Sequence, residues 1–214
     1  MTQSSQQPNY ALSCHSSIDE ILESNRRWAE KTDWEEPHLF STTGAGQEPH
    51  TLWIGCADSR VNEDCFYGVL PGEIFSTSNV ANVINNVHDT SSQAVIYYAV
   101  HHLKVKRILI VGHTDCGGIK ASLSIKDKHN TGLPKQLNTW LEPVIDLRFK
   151  HQKYLSQFSD IDEAVSRLSE LNVKEQYNYL TTQDEAVVHG LQEKTLEVYG
   201  LLFNVSTGLL TQLI

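Results

Sequence analysis

Two short apolar runs, each followed at once by a polar stretch that carries cysteine, constrain the fold of this chain most strongly. Leu-Trp-Ile at 52–54 leads into Cys-Ala-Asp-Ser-Arg-Val at 56–61, and Ile-Leu-Ile-Val at 108–111 leads into Gly-His-Thr-Asp-Cys-Gly-Gly at 112–118. A buried parallel strand is a continuous apolar run that gives way to polar sequence where the strand ends. Functional groups of open α/β sheets gather at the carboxyl ends of strands. We therefore expect the two polar stretches to meet at one edge of a sheet.

Three side chains at these two strand ends form a set that suits zinc. Cys56 follows the first apolar run, and His113 and Cys116 follow the second. Zinc binds thiolate sulfur and imidazole nitrogen tetrahedrally, and three protein ligands with one open position are the catalytic arrangement. Each residue alone fits a buried structural thiol or a core histidine. Together they predict one Zn²⁺ per chain, held by Cys56, His113 and Cys116.

Asp58 and Arg60 follow directly after the first predicted ligand. A carboxylate beside a guanidinium is held ionised and can accept a hydrogen bond from an oxygen at the open metal position. The plain alternative for this pair is a surface salt bridge. We expect a catalytic dyad, in which Arg60 is the more structural partner.

The remaining pattern predicts one α/β domain. Strands are expected at 51–56, 74–78, 107–111, 197–204 and 209–213, with the last two joined as a hairpin. Helices are expected from a capping box at Ser17 and Glu20, at 60–67, 91–103, from 117, at 134–154, 160–180 and 183–189, with a connector at 42–49. This alternation predicts a central, mostly parallel β-sheet with an antiparallel edge strand, flanked by helices and preceded by an N-terminal helical arm. We expect residues 1–16 to be a mobile arm and residues 17–214 to form the single domain.

Composition limits the class of partner. The 17 basic and 26 acidic residues give a net charge of −9, which argues against nucleic acid as a partner because such proteins present a basic surface. No apolar run approaches the roughly 20 residues of a membrane-spanning helix, and the N-terminus lacks the features of a signal peptide. Two of the four cysteines are assigned to the metal. Cys14 and Cys65 could form a disulfide, but we expect them to be free thiols of a cytoplasmic protein.

The two motifs together resemble the signature of the β-class carbonic anhydrases. Segments 46–47, 71–75, 79–82 and 103–105 are similar to further family positions, and 199–205 and 207–210 resemble the closing segment of the fungal members. The resemblance implies the β-carbonic anhydrase fold and the zinc-dependent reversible hydration of carbon dioxide to bicarbonate and a proton. It also implies attack by a zinc-bound hydroxide that the Asp58–Arg60 dyad orients. In some members the aspartate equivalent to Asp58 instead binds zinc as a fourth ligand and closes the site.

The same resemblance implies a substrate cleft and a mode of assembly. Gln47, Phe75, Val80 and Tyr98 match family positions that line the carbon dioxide cleft. Phe75 and Val80 would form an apolar wall, and Gln47 and the backbone N–H of Gly117 would donate hydrogen bonds to bicarbonate. The family packs its N-terminal helix across a neighbouring subunit, which implies a homodimer or a dimer of dimers. This chain departs from the family at Ser78, where a basic residue is usual, and at Tyr97, where glutamate is frequent.

Three alternatives belong to other classes of protein. Hydrolysis of carbon disulfide or carbonyl sulfide on the same scaffold stays open, because cleft shape decides it. A non-catalytic zinc site closed by a fourth ligand also stays open. A cysteine phosphatase using Cys56 and Arg60 is rejected, because the segment between them is too short for a phosphate cradle and lacks glycine.

Overall fold

The computed structural model describes residues 9–214, so the first half of the predicted N-terminal arm lies outside the described residues. Within the described part, residues 9–16 contain neither helix nor strand. The chain forms two compact units that divide between Gln47 and Glu48.

The first unit contains two helices. Helix α1 spans Ile18–Glu35 and begins with the predicted capping box, in which the Ser17 hydroxyl accepts from the Glu20 N–H and the Glu20 carboxylate accepts from the Ser17 N–H. Helix α2 spans Leu39–Ala45. Its second half overlaps the segment 42–49, which the sequence predicted to be a connector. The rings of Trp28 and Phe40 meet edge to face at 5.8 Å and join the two helices.

The second unit is built on a five-stranded sheet with the order β2-β1-β3-β4-β5. The strands are β1 Thr51–Cys56, β2 Ile74–Asn79, β3 Arg107–His113, β4 Glu197–Asn204 and β5 Leu209–Gln212. The first four strands are parallel, and β5 pairs antiparallel with β4 as the edge. The predicted fold class, a mostly parallel sheet with an antiparallel edge strand, is therefore confirmed.

Helices cover this sheet and complete the second unit. They are α3 Thr90–Tyr97, which continues as a π-helical turn over Tyr98–Leu103, α4 Gly117–Ser124, α5 Lys135–Lys150, α6 Gln152–Leu155, α7 Ile161–Gln183 and α8 Glu185–Gln192. Helix α7 lies against β3 and β4. The helix comes close to the two strands because Val173 packs over glycines, Gly112 of β3 and Gly200 of β4. A Cβ added at these glycines would lie 2.5 Å and 2.9 Å from the methyl groups of Val173.

The helix predicted over 60–67 is wrong. The segment after β1 is a series of turns in which the N–H groups of Val61, Cys65 and Val69 each donate to the carbonyl three positions earlier. Asp58 starts the series, because its carboxylate accepts from the Arg60 N–H at 3.0 Å and competes with helix formation.

Candidate metal centre

The carboxyl ends of β1 and β3 bring together three buried side chains that could hold a metal ion. The ligand atoms of Cys56, His113 and Cys116 all lie within 4.8 Å of one another. The two Sγ atoms are 4.0 Å apart, whereas two sulfurs on one tetrahedral zinc, at about 2.3 Å each, would be roughly 3.8 Å apart. The predicted meeting of the two strand ends is thus present, and its dimensions fit a tetrahedral ion.

The imidazole of His113 has one nitrogen free for a metal. Its Nδ1 lies 2.8 Å from the carbonyl oxygen of Thr114, which can only accept, so Nδ1 carries the proton and donates. The other nitrogen, Nε2, is buried and has no hydrogen-bond partner among the described residues. A buried acceptor without a partner is costly, and a metal ion would satisfy it.

The two thiols are in contact with each other. This contact lowers the pKa of Cys56, and the same contact, with burial, raises the pKa of Cys116. A divalent cation would displace the protons of both thiols, because a coordinating thiol is deprotonated.

Asp58 lies beside this cluster and is held by Arg60 through both carboxylate oxygens. Arg60 Nε donates to Oδ1 at 2.9 Å, and Nη2 donates to Oδ2 at 2.8 Å. This bidentate contact keeps the pKa of Asp58 well below its usual range. Oδ2 is also 3.9 Å from His113 Nε2, so the carboxylate adjoins the free metal-binding nitrogen.

Asp115 is a residue of the site that the sequence reasoning missed. Its Oδ2 accepts from Arg60 Nη1 at 3.0 Å, its carbonyl oxygen accepts from Arg60 Nη2 at 3.3 Å, and its Oδ1 accepts from Lys120 at 2.8 Å. Asp115 has a left-handed backbone with φ of 57°, which aspartate tolerates better than most residues. Its place between two predicted ligands was the only signal in the sequence.

A short 3₁₀ turn over Val80–Asn82, which follows β2, also contacts the cluster. The N–H of Ala81 donates to the Sγ of Cys56 at 3.4 Å. Helix α4 packs closely on this turn, because a Cβ at Gly118 would come within 2.8 Å of Val80 and 3.2 Å of Ala81. The other glycine of the motif, Gly117, has open space where its Cβ would stand.

Val80 lines an apolar cleft of about 410 Å³ together with Asn79, Gln136, Leu137 and Trp140. Because Asn79 pairs with Cys56 across the sheet, this cleft lies at the same strand ends as the metal-binding cluster. Trp140 donates from Nε1 to the Val80 carbonyl at 2.8 Å, which fixes one wall. Leu137 and Trp140 had no motif by which the sequence could assign them to this cleft.

Phe75 and Tyr98 lie elsewhere on the same chain. Their rings pack together at 5.8 Å, and Tyr98 is exposed. Phe75 pairs with Leu52 while Asn79 pairs with Cys56, so four residues, or roughly 13 Å of strand, separate Phe75 from the metal end. Gln47 is the last residue of the first unit, and its role in binding bicarbonate stays a prediction.

A separate cleft of about 570 Å³ lies at the opposite ends of the strands. It is lined by residues such as His50, Glu73, Arg107 and Glu197, which stand at or just before the first residues of β1 to β4. The metal-binding cluster is at the carboxyl ends, where the sites of open parallel sheets are found. This larger cleft therefore has no part in the site.

Comparison with known proteins agrees with this geometry. The family model described as carbonic anhydrase matches residues 51–210, which includes all three clustered ligands. The chain belongs to the carbonic anhydrase family. Curated carbonic anhydrases of Candida albicans and Saccharomyces cerevisiae are each 40% identical to it, over 95% and 94% of this chain and 70% and 90% of theirs.

Solved structures place the chain in the β class of carbonic anhydrases. A β-carbonic anhydrase of Aspergillus fumigatus is 45% identical with a TM-score of 0.83, covering 91% of this chain and 89% of that one. A tetrameric β-carbonic anhydrase of Sordaria macrospora is 36% identical with a TM-score of 0.84, covering 91% and 95%. With the Cys-His-Cys cluster, these likenesses confirm a fungal-type β-carbonic anhydrase that catalyses the reversible hydration of carbon dioxide. Among the described residues, none of its helices combines the length and apolar character needed to span a membrane.

Proposed function

We propose that this enzyme hydrates carbon dioxide at a single Zn²⁺ held by Cys56, His113 and Cys116. The observation that carries the proposal is the buried, unpartnered Nε2 of His113 within 4.8 Å of two cysteine sulfurs. When bound, Zn²⁺ acts as a Lewis acid that lowers the pKa of water to about 7. The chain's own residues then orient the reactants and hold the protons.

Asp58 and Arg60 are the proposed catalytic dyad. Asp58 is kept ionised by Arg60, so it can only accept hydrogen bonds, and it would orient the attacking oxygen by accepting a hydrogen bond from it. Arg60 is itself held by Asp115, so the carboxylate has a fixed position. Because both Asp58 oxygens bond to Arg60, the geometry favours an open site over the alternative in which Asp58 is a fourth metal ligand.

The cleft beside Val80 is the proposed path for carbon dioxide. Its apolar lining by Val80, Leu137 and Trp140 suits a nonpolar molecule. The backbone N–H of Gly117 and the side-chain amide of Gln47 are proposed to donate to bicarbonate oxygens. Gly117 stands at the first position of α4, where backbone N–H groups have no partner within the helix.

A homodimer, or a dimer of dimers, is the proposed assembly. Phe75 and Tyr98 lie far along the sheet from their own metal cluster, so any role in the cleft requires a second copy of the chain. Helix α1 has no buried residue and exposes an apolar face, which a partner would cover. The Sordaria macrospora relative is described as tetrameric. A cytoplasmic location also stays a prediction.

The test is stopped-flow hydration of carbon dioxide with zinc analysis of the purified protein, at pH 7 and near pH 8.5. We expect one zinc per chain and rapid turnover at both pH values. Cys56→Ser and His113→Ala should each lose the zinc and the activity. Cys65→Ser is the matched control, since Cys65 is an exposed free thiol outside the cluster, and it should retain both.

Full turnover by a metal-free preparation would contradict the zinc mechanism. Activity only near pH 8.5 would show that Asp58 competes for the metal. A zinc-loaded wild-type enzyme that is inactive at both pH values would refute the proposal, and would favour the alternatives of another small substrate or a closed site.

A further inference from the structure

The turn that donates to Cys56 has an unfavourable backbone. Ala81 and Asn82 have φ of 64° and 45°, in the left-handed region that residues with a Cβ rarely adopt. Non-glycine residues persist there only when their surroundings fix them, and such positions cluster at functional sites. Both residues are buried, and the Ala81 N–H bonds to the Cys56 sulfur. We therefore looked for the contacts that hold this turn.

Two amide side chains of helix α7 hold it from inside the protein. Asn172 donates from Nδ2 to the Ala81 carbonyl at 2.8 Å, and Gln176 donates from Nε2 to Asn172 Oδ1 at 3.0 Å. Gln176 Oε1 in turn accepts from the N–H groups of Ile84 and Asn85, at 2.8 Å and 3.1 Å. The two side chains thus join the turn and the segment after it to one face of α7.

Burying these two amide side chains costs free energy unless their polar atoms are hydrogen-bonded. Asn172 and Gln176 are each only 1% exposed, on a helix that also buries apolar residues such as Leu168 and Val173. Buried polar groups are tolerated when they are fully paired, and this pair has its main partners in the loop rather than in its own helix. Apolar residues here would satisfy the packing of α7 but not the turn.

We propose that Asn172 is a positioning residue for the metal site, which keeps the Ala81 N–H aimed at the Cys56 sulfur and so limits how much charge this thiolate gives to the metal. Gln176 orients Asn172 by fixing its Oδ1. Partners one step removed from the ligands orient them and tune the metal. The inference rests on the proposed zinc site, and it assigns to α7 a role in the electronic properties of that site.

The turn has further supports from helix α5 and from Asn79, the residue that precedes it. Trp140 of α5 donates to the Val80 carbonyl, and the Asn79 side chain both donates to and accepts from the Val83 backbone, at 2.8 Å and 2.7 Å. The turn is therefore held at both ends and in the middle, and Asn172 supplies the middle contact. Trp140 holds the carbonyl of the peptide group that carries the Ala81 N–H, and Asn172 holds the carbonyl of the following peptide group, so the two contacts together fix the orientation of Ala81.

The test uses the full-length protein with Co²⁺ in place of zinc, and follows the sulfur-to-cobalt charge-transfer absorption in the near ultraviolet. Asn172→Leu and Asn172→Ser both remove the bond to Ala81. A weaker N–H···S bond leaves the thiolate richer in electrons, so we expect the band to move to longer wavelength. Zinc affinity, measured by competition with a chelating dye, should fall roughly 10–100-fold, because the turn that positions Cys56 loses its support and this loss outweighs the added charge on the sulfur.

Ser169→Ala is the matched control. Ser169 lies on the same helix and is equally buried, but its hydroxyl bonds back to the Val165 carbonyl at 2.9 Å rather than to the turn. Its cobalt band and zinc affinity should equal those of the wild type. Asn172→Ser is included because a serine hydroxyl can donate to the carbonyl four residues earlier in its own helix, as Ser169 does. This variant should therefore fold even if Asn172→Leu does not.

The outcomes separate this inference from the proposed function. A cobalt-loaded Asn172→Ser protein with the wild-type band and wild-type zinc affinity would overturn the role of Asn172 and leave the zinc enzyme intact. A shift in the Ser169→Ala control as large as in the Asn172 variants would overturn it too, by showing a general effect of α7 packing. A wild-type protein that binds neither metal would instead refute the proposed function itself.

Discussion

At the scale of single residues, Asp115 sets the position of the proposed catalytic carboxylate without touching it. It accepts two hydrogen bonds from Arg60, and Arg60 donates three to Asp58. The guanidinium of Arg60 therefore donates hydrogen bonds to two different aspartates, which restricts its side chain to one orientation. The geometry of the proposed dyad thus depends on an aspartate that lies between two predicted metal ligands in the sequence.

Glu73 gives a prediction of pH dependence away from the metal. Its carboxylate accepts from the Leu70 N–H and lies 3.2 Å from His50, and these contacts, in that order, lower its pKa. A lowered pKa stabilises the fold above the unfolded value of about 4.3, and this contribution is lost as the pH falls below it. Glu73→Gln should therefore reduce the free energy of unfolding at pH 7 by less than about 1 kcal/mol, since the pair is partly exposed.

The measurement is the urea midpoint of Glu73→Gln and wild type at pH 7 and near pH 3.5, in zinc-free protein. The difference should shrink at the lower pH. Glu48→Gln, a change of charge at an exposed position just before β1, is the control and should show little difference at either pH. A Glu73→Gln difference that grows on acidification would contradict the sign of the shift.

At the scale of elements, the paired glycines at the start of α4 have separable roles. A Cβ at Gly118 would press on Val80 and Ala81, so Gly118→Ala should cost about 1–3 kcal/mol of stability through overpacking. A Cβ at Gly117 meets open space, so Gly117→Ala should leave stability unchanged or raise it slightly. Its effect should be on turnover, which we expect to fall because the methyl group would crowd the proposed bicarbonate position.

Urea unfolding and stopped-flow hydration on the two variants check this pair. The two variants should lose different properties: Gly118→Ala should lose stability, and Gly117→Ala should lose activity while its stability is unchanged. Equal losses of activity in both variants, with no difference in stability, would show that the close approach of α4 to the 80–82 turn is unimportant.

The strands and the metal-binding cluster could be predicted from the sequence because their signals are local. Apolar runs marked β1 and β3, and the motifs after them carried the ligands. The error at 60–67 arose because the Asp58 side chain captures the Arg60 N–H, a choice that residue periodicity does not show. Helix α2 was missed because its sequence, Leu-Phe-Ser-Thr-Thr-Gly-Ala, is weak in helix formers.

Contacts between distant elements were outside the reach of sequence reasoning. The Arg60–Asp115 contact spans 55 positions and the Asn172–Ala81 contact spans 91. Asn172 has no motif around it, and an amide on a helix otherwise indicates an exposed face. The contact of Asn172 with the turn depends on the packing of α7 against the sheet, where Val173 lies over Gly112 and Gly200.

At the scale of the whole molecule, the exposed apolar face of α1 predicts association between chains. Ile18, Ile21, Leu22 and Trp28 lie along one side of this helix and are all exposed, by 40–66%. Leu22→Ser should weaken the assembly roughly 10–100-fold, because burying a leucine contributes about 1.5–3 kcal/mol. Sedimentation velocity over a range of concentrations measures this change.

Glu30→Ser, on the other side of α1, is the control and should sediment as the wild type does. A wild-type protein that sediments as a monomer at all concentrations would contradict the predicted assembly. If Leu22→Ser left an oligomeric wild type unchanged, association would instead depend on other surfaces, such as that of Phe75 and Tyr98.

The strand order has a consequence for how the chain acquires its metal during biogenesis. Strand β2 comes between β1 and β3 in the sequence, yet β1 and β3 are neighbours in the sheet. The two halves of the ligand set thus become adjacent only after β1 and β3 have paired across an intervening stretch of chain. A nascent chain still emerging from the ribosome before β3 offers only Cys56 of the three ligands. We therefore expect the chain to bind its metal late in folding, after the central strands β1 and β3 have paired.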